Sequence, residues 1–443
     1  MRVLLVSTYE LGHQPLHVAS PAAALLRAGH EVVALDLSVD PWDPQAVEWA
    51  EAIGFSVPMH TAMRLAIRAA VAARQQRPGL PIVFYGLYAP VSRDLTVGRV
   101  ADRAIAGEYE PALVRWVDEL TGRQPRSAGD PVSVELGRSG FRLPARRLLP
   151  ALERYAHLET GDDHRLVGYV EASHGCVHRC RHCPVPIVYD GRIRVVEPDV
   201  IVEDVAQLVA MGAEHVTFGD PDFLNGPHHA RRVVAAVHEA FPRITFDCTV
   251  KVEHILRHEG IWDEMAAAGC LFVVSAFECT NDDVLERLDK GHTRADMSRA
   301  VAVLRAAGIE PRPSFLPFTP WTSLGDMTDL LTFVDEHDLV GNIDPVQLSI
   351  RLLLPEGSLL LDRGDLRPFL RGYDADKLSY QWVAADPAVD RLQQEVAALA
   401  AEADGAVDVL PRMADAVWEA AGAPARPLVG VRGRPRLTEP WFC

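Results

Sequence analysis

Short continuous apolar runs alternate with longer stretches of helical period, and this alternation organises most of the chain. Val3–Ser7 reads as a strand, a helical run opens at Ala19 and stops at Gly29, and Glu31–Leu35 reads as the next strand. Ile53–Val57, a helical run from Thr61 to Arg74, the breaker Pro78-Gly79 and the strand Ile82–Tyr85 ending at Gly86 repeat the unit. Strands spaced by helices in this way predict a parallel, doubly wound sheet, with ligands at the carboxyl ends of its strands. Over 121–165 the period gives way to mixed charge, glycine, proline and arginine, which predicts a linker.

Strand signals then resume at Val167–Ala172, His215–Phe218, Thr245–Val250, Leu271–Ala276, Arg312–Leu316 and Val346–Ile350, with helices over 198–211, 228–240, 254–268, 293–307 and 325–337. Six strands with intervening helices predict an open, partial (β/α)6 barrel of the TIM type. After Leu354-Pro355-Glu356-Gly357 the period changes, and 390–420 reads as Ala-rich amphipathic helix without a strand partner. The expected fold class is α/β: a doubly wound domain over 1–120, a barrel over 166–356 and a small helical region over 357–443.

Composition narrows the function. At 443 residues the chain exceeds what one hydrophobic core serves, in keeping with several domains. Lys plus Arg number 44 against 61 Asp plus Glu, a net charge of −17, which disfavours nucleic acid and anionic membranes as partners and suits a small-molecule substrate. No apolar run approaches a membrane span, and Met1–Ser7 is too short for the apolar core of a signal peptide. Seven cysteines, three of them in one loop, suit metal ligation in a reducing cytoplasm rather than a disulfide framework.

Those three thiols, Cys176, Cys180 and Cys183, are spaced C-x3-C-x2-C directly after a strand pattern. Three thiolates can occupy three corners of a [4Fe-4S] cluster and leave the fourth iron open to a bound molecule. A zinc site completed by His174, His178 or His182 is the plain alternative, although zinc ribbons usually pair two C-x2-C knuckles and a second knuckle is absent. Arg179 and Arg181 stand beside the thiols, either favouring the thiolates or as solvated loop charges. Cys248, Cys270 and Cys279 lie in apolar contexts and read as packed small hydrophobes.

The loop, with His182 before its last cysteine and a barrel following, closely resembles the radical S-adenosylmethionine (SAM) superfamily. The resemblance implies that Cys176, Cys180 and Cys183 hold the cluster, that SAM chelates the open iron, that an external donor of flavodoxin or ferredoxin type reduces the cluster, and that His182 lies against the adenine side. It places Asp220, with Asp222 second, at the methionine amino group, and Glu278 with Ser275 near the ribose hydroxyls or the substrate. As a bland reading, Asp220 is a turn residue before proline and Glu278 a helix cap. Lys251, Glu253 and Arg312 are expected to line the barrel mouth.

Leu25–Val32 and Gly107-Glu108-Tyr109-Glu110 resemble the cobalamin-binding domain that precedes many such enzymes. The D-x-H-x-x-G pattern that gives cobalt a histidine is missing, and Tyr85, Leu87 and Tyr88 crowd a loop offering Gly12, Ser56, Gly86 and Ala89, so cobalamin binding stays open. The ending Thr438-Glu439-Pro440-Trp441-Phe442-Cys443 resembles a radical SAM group named for terminal CUAEP or CCAEP, which implies a thiol or thiol-selenol on the tail and a natural chain running past Cys443. Arg432, Arg434 and Arg436 suit a lowered thiol pKa there, while an incidental terminal cysteine is the plain reading. The expected function is reductive cleavage of SAM to functionalise a small molecule in specialised metabolism, with Cys443 assisting. Transfer of the 3-amino-3-carboxypropyl group and cobalamin-dependent radical methylation are alternative reactions. A noncatalytic iron-sulfur or zinc protein is the alternative class.

Overall fold

A computed structural model describes residues 1–127, 129–138, 140–161, 163–402, 409–428 and 433–439. The N-terminal sheet contains β1 (Arg2–Ser7), β2 (Glu31–Asp36), β3 (Ala52–Ser56), β4 (Ile82–Tyr85), β5 (Arg103–Gly107) and β6 (Val132–Glu135). Its order is β2-β1-β3-β4-β5-β6, with every pair parallel. All residues of β3 and β4 are buried, as a parallel sheet with helices on both faces requires. The order reverses between β1 and β3, so the crevice at their carboxyl ends is the expected ligand face. The stretch read as a linker contributes β6 to this sheet's edge.

The second sheet is built from β7 (His157–Thr160), β8 (Asp163–Val170), β11 (His215–Phe218), β12 (Thr245–Thr249), β13 (Cys270–Glu278), β14 (Glu310–Phe315) and β17 (Arg436–Leu437), in the order β14-β13-β12-β11-β8-β7-β17. β8 and β11 to β14 run parallel, whereas β7 runs antiparallel to β8 and β17 antiparallel to β7. The sheet curls into a half-barrel whose edges, β14 and β17, do not pair with each other. A sixth barrel strand over Val346–Ile350 is not formed: Pro345 opens a 3-10 helix, Pro345–Ser349. The helix expected over 254–268 is broken into Val252–Arg257, a 3-10 turn and Trp262–Ala267. Two short antiparallel pairs complete the strands, β9 (Ser173–Gly175) with β10 (Ile193–Val195) and β15 (Leu370–Asp374) with β16 (Ser379–Trp382).

The barrel core extends without interruption into the C-terminal helices Pro387–Ala401 and Val409–Ala420, through Leu392, Val396, Met413 and Val417. Arg146 ties the two sheets together. Its guanidinium is buried, donates to both oxygens of Asp204 at 3.0 and 2.7 Å, and reaches the Tyr169 carbonyl at 2.6 Å and Gln14 Oε1 at 3.3 Å. No described helix is long and apolar enough to cross a membrane.

Candidate active site at the barrel mouth

The cysteine loop leaves the carboxyl end of β8 through the short strand β9 and ends at the helix Val185–Tyr189. Gly175, just before Cys176, has φ +77°, and a Cβ there would stand 2.3 Å from the Arg192 carbonyl oxygen. Only glycine admits this turn. Asp220, at the end of β11, accepts from Ala172 N at 2.9 Å and Ser173 Oγ at 2.5 Å, so its buried carboxyl fixes the corner from which the loop springs. Burial pushes the Asp220 pKa up to about 7. Asn225 Oδ1 accepts from Val177 N at 3.2 Å and lies 3.6 Å from Cys176 Sγ. Sequence reasoning missed Asn225, which carries no motif.

Cys176 and Cys180 are buried and Cys183 is half-buried, and none is in a disulfide. Burial pushes the thiol pKa of Cys176 up to about 11 and that of Cys183 up to about 12, so these sulfurs need a cation to become thiolates. The nearby charge does not come from the loop arginines. Arg179 pairs with Asp190 at the surface, and Arg181 donates to the carbonyls of Glu286 and Arg287 at the end of the helix Asp282–Leu288. Lys290 is the cation beside Cys180 and Cys183. Its Nζ bonds Glu278 Oε1 at 2.9 Å, and the same oxygen lies 3.0 Å from His182 Nε2. Glu278 has φ +66° in the left-handed region, at a register shift in β13. Burial alone would raise its carboxyl pKa; Lys290 and His182 overcome that and hold it well below the usual carboxylate range.

All three histidines considered as zinc ligands face carboxylates. His174 lies between Glu108 at 3.1 Å and Glu171 at 3.2 Å. His178 Nε2 is 3.3 Å from His254 Nε2 and 3.7 Å from Asp222 Oδ2, and Asp222 Oδ2 is 2.7 Å from His254 Nδ1. His182 turns its Nε2 to Glu278 and leaves Nδ1 buried without a partner. Ser275 Oγ is likewise buried without a hydrogen-bond partner. The donor set, three sulfurs in one loop, suits a three-cysteine cluster, and the orphaned polar atoms at the strand ends suit a polar ligand beside it.

Lys251 and Glu253 follow β12 at the same end, 3.5 Å apart. Arg312 stands apart from this group. It lies within β14, in register with Val274, and donates to Asp344 Oδ2 at 3.1 Å and to the Pro435 carbonyl at 3.2 Å. Cys248, Cys270 and Cys279 are buried in the barrel core. Cys443, with Pro440, Trp441 and Phe442, lies outside the described residues.

The strand ends of the N-terminal sheet meet the barrel at an open cleft lined by His17, Ser20, Tyr109, Glu110, Phe141 and His174 among others. His17 places Nδ1 2.8 Å from the Tyr109 hydroxyl and Nε2 3.3 Å from Glu171. Hydroxyl and carboxyl groups of this lining suit the amide-rich rim of a corrin, while both nitrogens of His17 are engaged and unavailable to cobalt.

The profile of the radical SAM superfamily matches residues 170–334, and that of the B12-binding domain matches residues 2–117. No curated protein matches the sequence. Among solved structures, the cobalamin-dependent SAM radical enzyme OxsB with aqua-cobalamin bound superposes with a TM-score of 0.68 at 13% identity, covering 89% of this chain and 66% of that one. This chain thus spans just under two thirds of OxsB. The radical SAM methyltransferase TsrM from Kitasatospora setae, with cobalamin and a [4Fe-4S] cluster bound, superposes with a TM-score of 0.59 at 19% identity, covering 76% of this chain and 73% of that one. The two domains imply SAM, a [4Fe-4S] cluster and cobalamin as cofactors. The chain therefore combines a B12-binding domain with a radical SAM domain that follows it, the domain pair of an enzyme.

Proposed function

We propose that this enzyme reductively cleaves SAM at a [4Fe-4S] cluster held by Cys176, Cys180 and Cys183, and uses the product radical to functionalise a small molecule in specialised metabolism. One observation carries the reading: three unbridged thiols, two buried and one half-buried, share one loop at the carboxyl end of a radical SAM half-barrel, with orphaned polar atoms around them. When bound and reduced by an external donor of flavodoxin or ferredoxin type, the cluster supplies the electron that breaks a carbon–sulfur bond of the sulfonium.

The chain's own groups bind and orient. His182, fixed through Nε2 by Glu278, presents Nδ1 toward the adenine side. Asp222, whose Oδ2 lies 2.7 Å from His254 Nδ1, offers its buried carboxylate to the methionine ammonium, a charge-assisted bond. Asp220 acts one step back, holding the loop corner through Ala172 and Ser173. Ser275 donates its unpaired hydroxyl to the ribose or the substrate, and Lys290 keeps Glu278 ionised and screens the thiolates. Cys443 assists as a thiol on the tail.

Anaerobic reconstitution followed by dithionite and SAM is expected to yield 5′-deoxyadenosine. Methylthioadenosine instead would favour 3-amino-3-carboxypropyl transfer. No cleavage, together with zinc and no iron in the isolated protein, would refute the reading. The B12-binding domain match and the cobalamin-bound neighbours support a second reading, cobalamin-dependent radical methylation. Stoichiometric retention of cobalamin with S-adenosylhomocysteine as product would favour it.

A further inference from the structure

Three neighbouring strands of the half-barrel, β8, β11 and β12, are followed by an imidazole, a carboxylate and a second imidazole that converge at its carboxyl end. His178 sits in the cysteine loop after β8, between Cys176 and Cys180. Asp222 follows β11 and is fully buried, and its Oδ1 accepts from Leu224 N at 3.1 Å to open the 3-10 turn Phe223–Asn225. His254 is a buried residue of the helix Val252–Arg257, which follows β12.

The distances are those of a chelate. Asp222 Oδ2 lies 2.7 Å from His254 Nδ1 and 3.7 Å from His178 Nε2, and the Nε2 atoms of the two rings lie 3.3 Å apart. Ligand atoms about 2.0–2.2 Å from a shared cation stand about 2.8–3.6 Å from one another, so small side-chain shifts bring these donors onto one ion. One donor atom from each residue already falls within 4.8 Å of the other two. A buried Asp–His pair needs no further imidazole, whereas a third donor aimed at the same point from another strand is what holding a cation requires. Glu253 Oε2 stands 3.8 Å from His178 Nδ1, where a carboxylate commonly backs a ligating imidazole. Lys251 and Arg257 both pair with Glu253, which leaves the charge of Asp222 for an incoming cation.

Two imidazoles and a carboxylate form a set that holds zinc or ferrous iron, with positions left over for water or another ligand. No cysteine belongs to this set, so it differs from a zinc ion standing in for the cluster. An ionised carboxylate has about four lone-pair sites, and Leu224 N takes one of those of Asp222, so a metal bond and a bond to the methionine ammonium can coexist there. We propose that His178, Asp222 and His254 form a second metal site, for a divalent cation of the zinc or ferrous type, that ties the cysteine loop to the ends of β11 and β12. The proposal rests on the reading above in assigning the three thiols to the cluster.

Cobaltous ion is the probe, because its visible bands report its ligands. In the Cys176→Ala/Cys180→Ala/Cys183→Ala variant, whose loop offers no thiol, one Co2+ per chain is expected to bind with visible bands of nitrogen and oxygen ligands and without thiolate charge transfer. Adding His254→Ala is expected to weaken that binding roughly tenfold or more, the scale for losing even a partner of a ligand. A second measurement serves should the thiol-free variant fail to fold. Cluster-loaded wild-type protein dialysed against Zn2+ is expected to retain one zinc per chain beside its iron in elemental analysis, and cluster-loaded His254→Ala to retain none. A folded thiol-free variant that binds no Co2+ overturns the proposal, as does binding of either ion that His254→Ala leaves unchanged, or a cluster-loaded wild type that retains no zinc. If the wild type loads no iron, the functional reading fails, while the cobalt titration still decides the histidine site.

Discussion

Gly175 and Glu278 carry the two most constrained backbone positions of the site. Gly175→Ala forces a Cβ into the Arg192 carbonyl, which is backbone and cannot yield. The variant is expected to fold yet lose most of its iron, measured by metal analysis after anaerobic reconstitution. At Glu278 the left-handed turn persists because Lys290 and His182 hold the carboxylate. Lys290→Ala strands that charge in a buried site and is expected to cost about 3 kcal/mol in denaturant unfolding, the scale for breaking a buried pair. The three thiols were legible in the sequence because their spacing is a ligand pattern in itself. Lys290 as their cation and Asn225 as their brace were not, since each is brought to the loop by a turn far along the chain. Of the two readings open for Arg179 and Arg181, the one that kept them apart from the thiolates holds: adjacency in sequence put them beside the sulfurs, and the fold turns them to Asp190 and to a helix end.

At the scale of elements, buried strands with clean boundaries were read well. β4 and β11 fall at the expected residues, because continuous apolar runs bounded by breakers leave little choice. Val346–Ile350 has the apolar content of a strand, but Pro345 before it and Gln347 within it, whose side-chain Oε1 accepts from Phe315 N at 2.9 Å, make it a turn that packs on β14. β6 and β17 were hidden because both are short edge strands whose pairing is specified by distant partners. Arg146, in the stretch read as a linker, is a fully buried joint between elements. Arg146→Ala leaves Asp204 buried without its partner and is expected to destabilise the protein by about 3–5 kcal/mol, read as a shift in denaturation midpoint.

The whole molecule is held together across charged groups between the sheet domain and the barrel. His17 belongs to the first and Glu171 to the second, 3.3 Å apart. Burial lowers the His17 pKa, but Glu171 and Glu10 outweigh it and raise it to about 9. A histidine raised above its unfolded value of about 6.5 contributes stability that is complete below that pH and is lost as pH climbs through about 9. His17→Gln is therefore expected to lower the melting temperature clearly at pH 6, with the gap to wild type closing by about pH 9.5, once the wild-type imidazole is neutral.

The central claim is that Cys176, Cys180 and Cys183 hold a cluster whose fourth iron is open to SAM. Electron paramagnetic resonance of the dithionite-reduced, reconstituted protein tests it most directly. The account predicts a reduced [4Fe-4S] signal that changes on addition of SAM and disappears in the Cys176→Ala/Cys180→Ala/Cys183→Ala variant. A signal indifferent to SAM, or one that survives loss of the three cysteines, would contradict it.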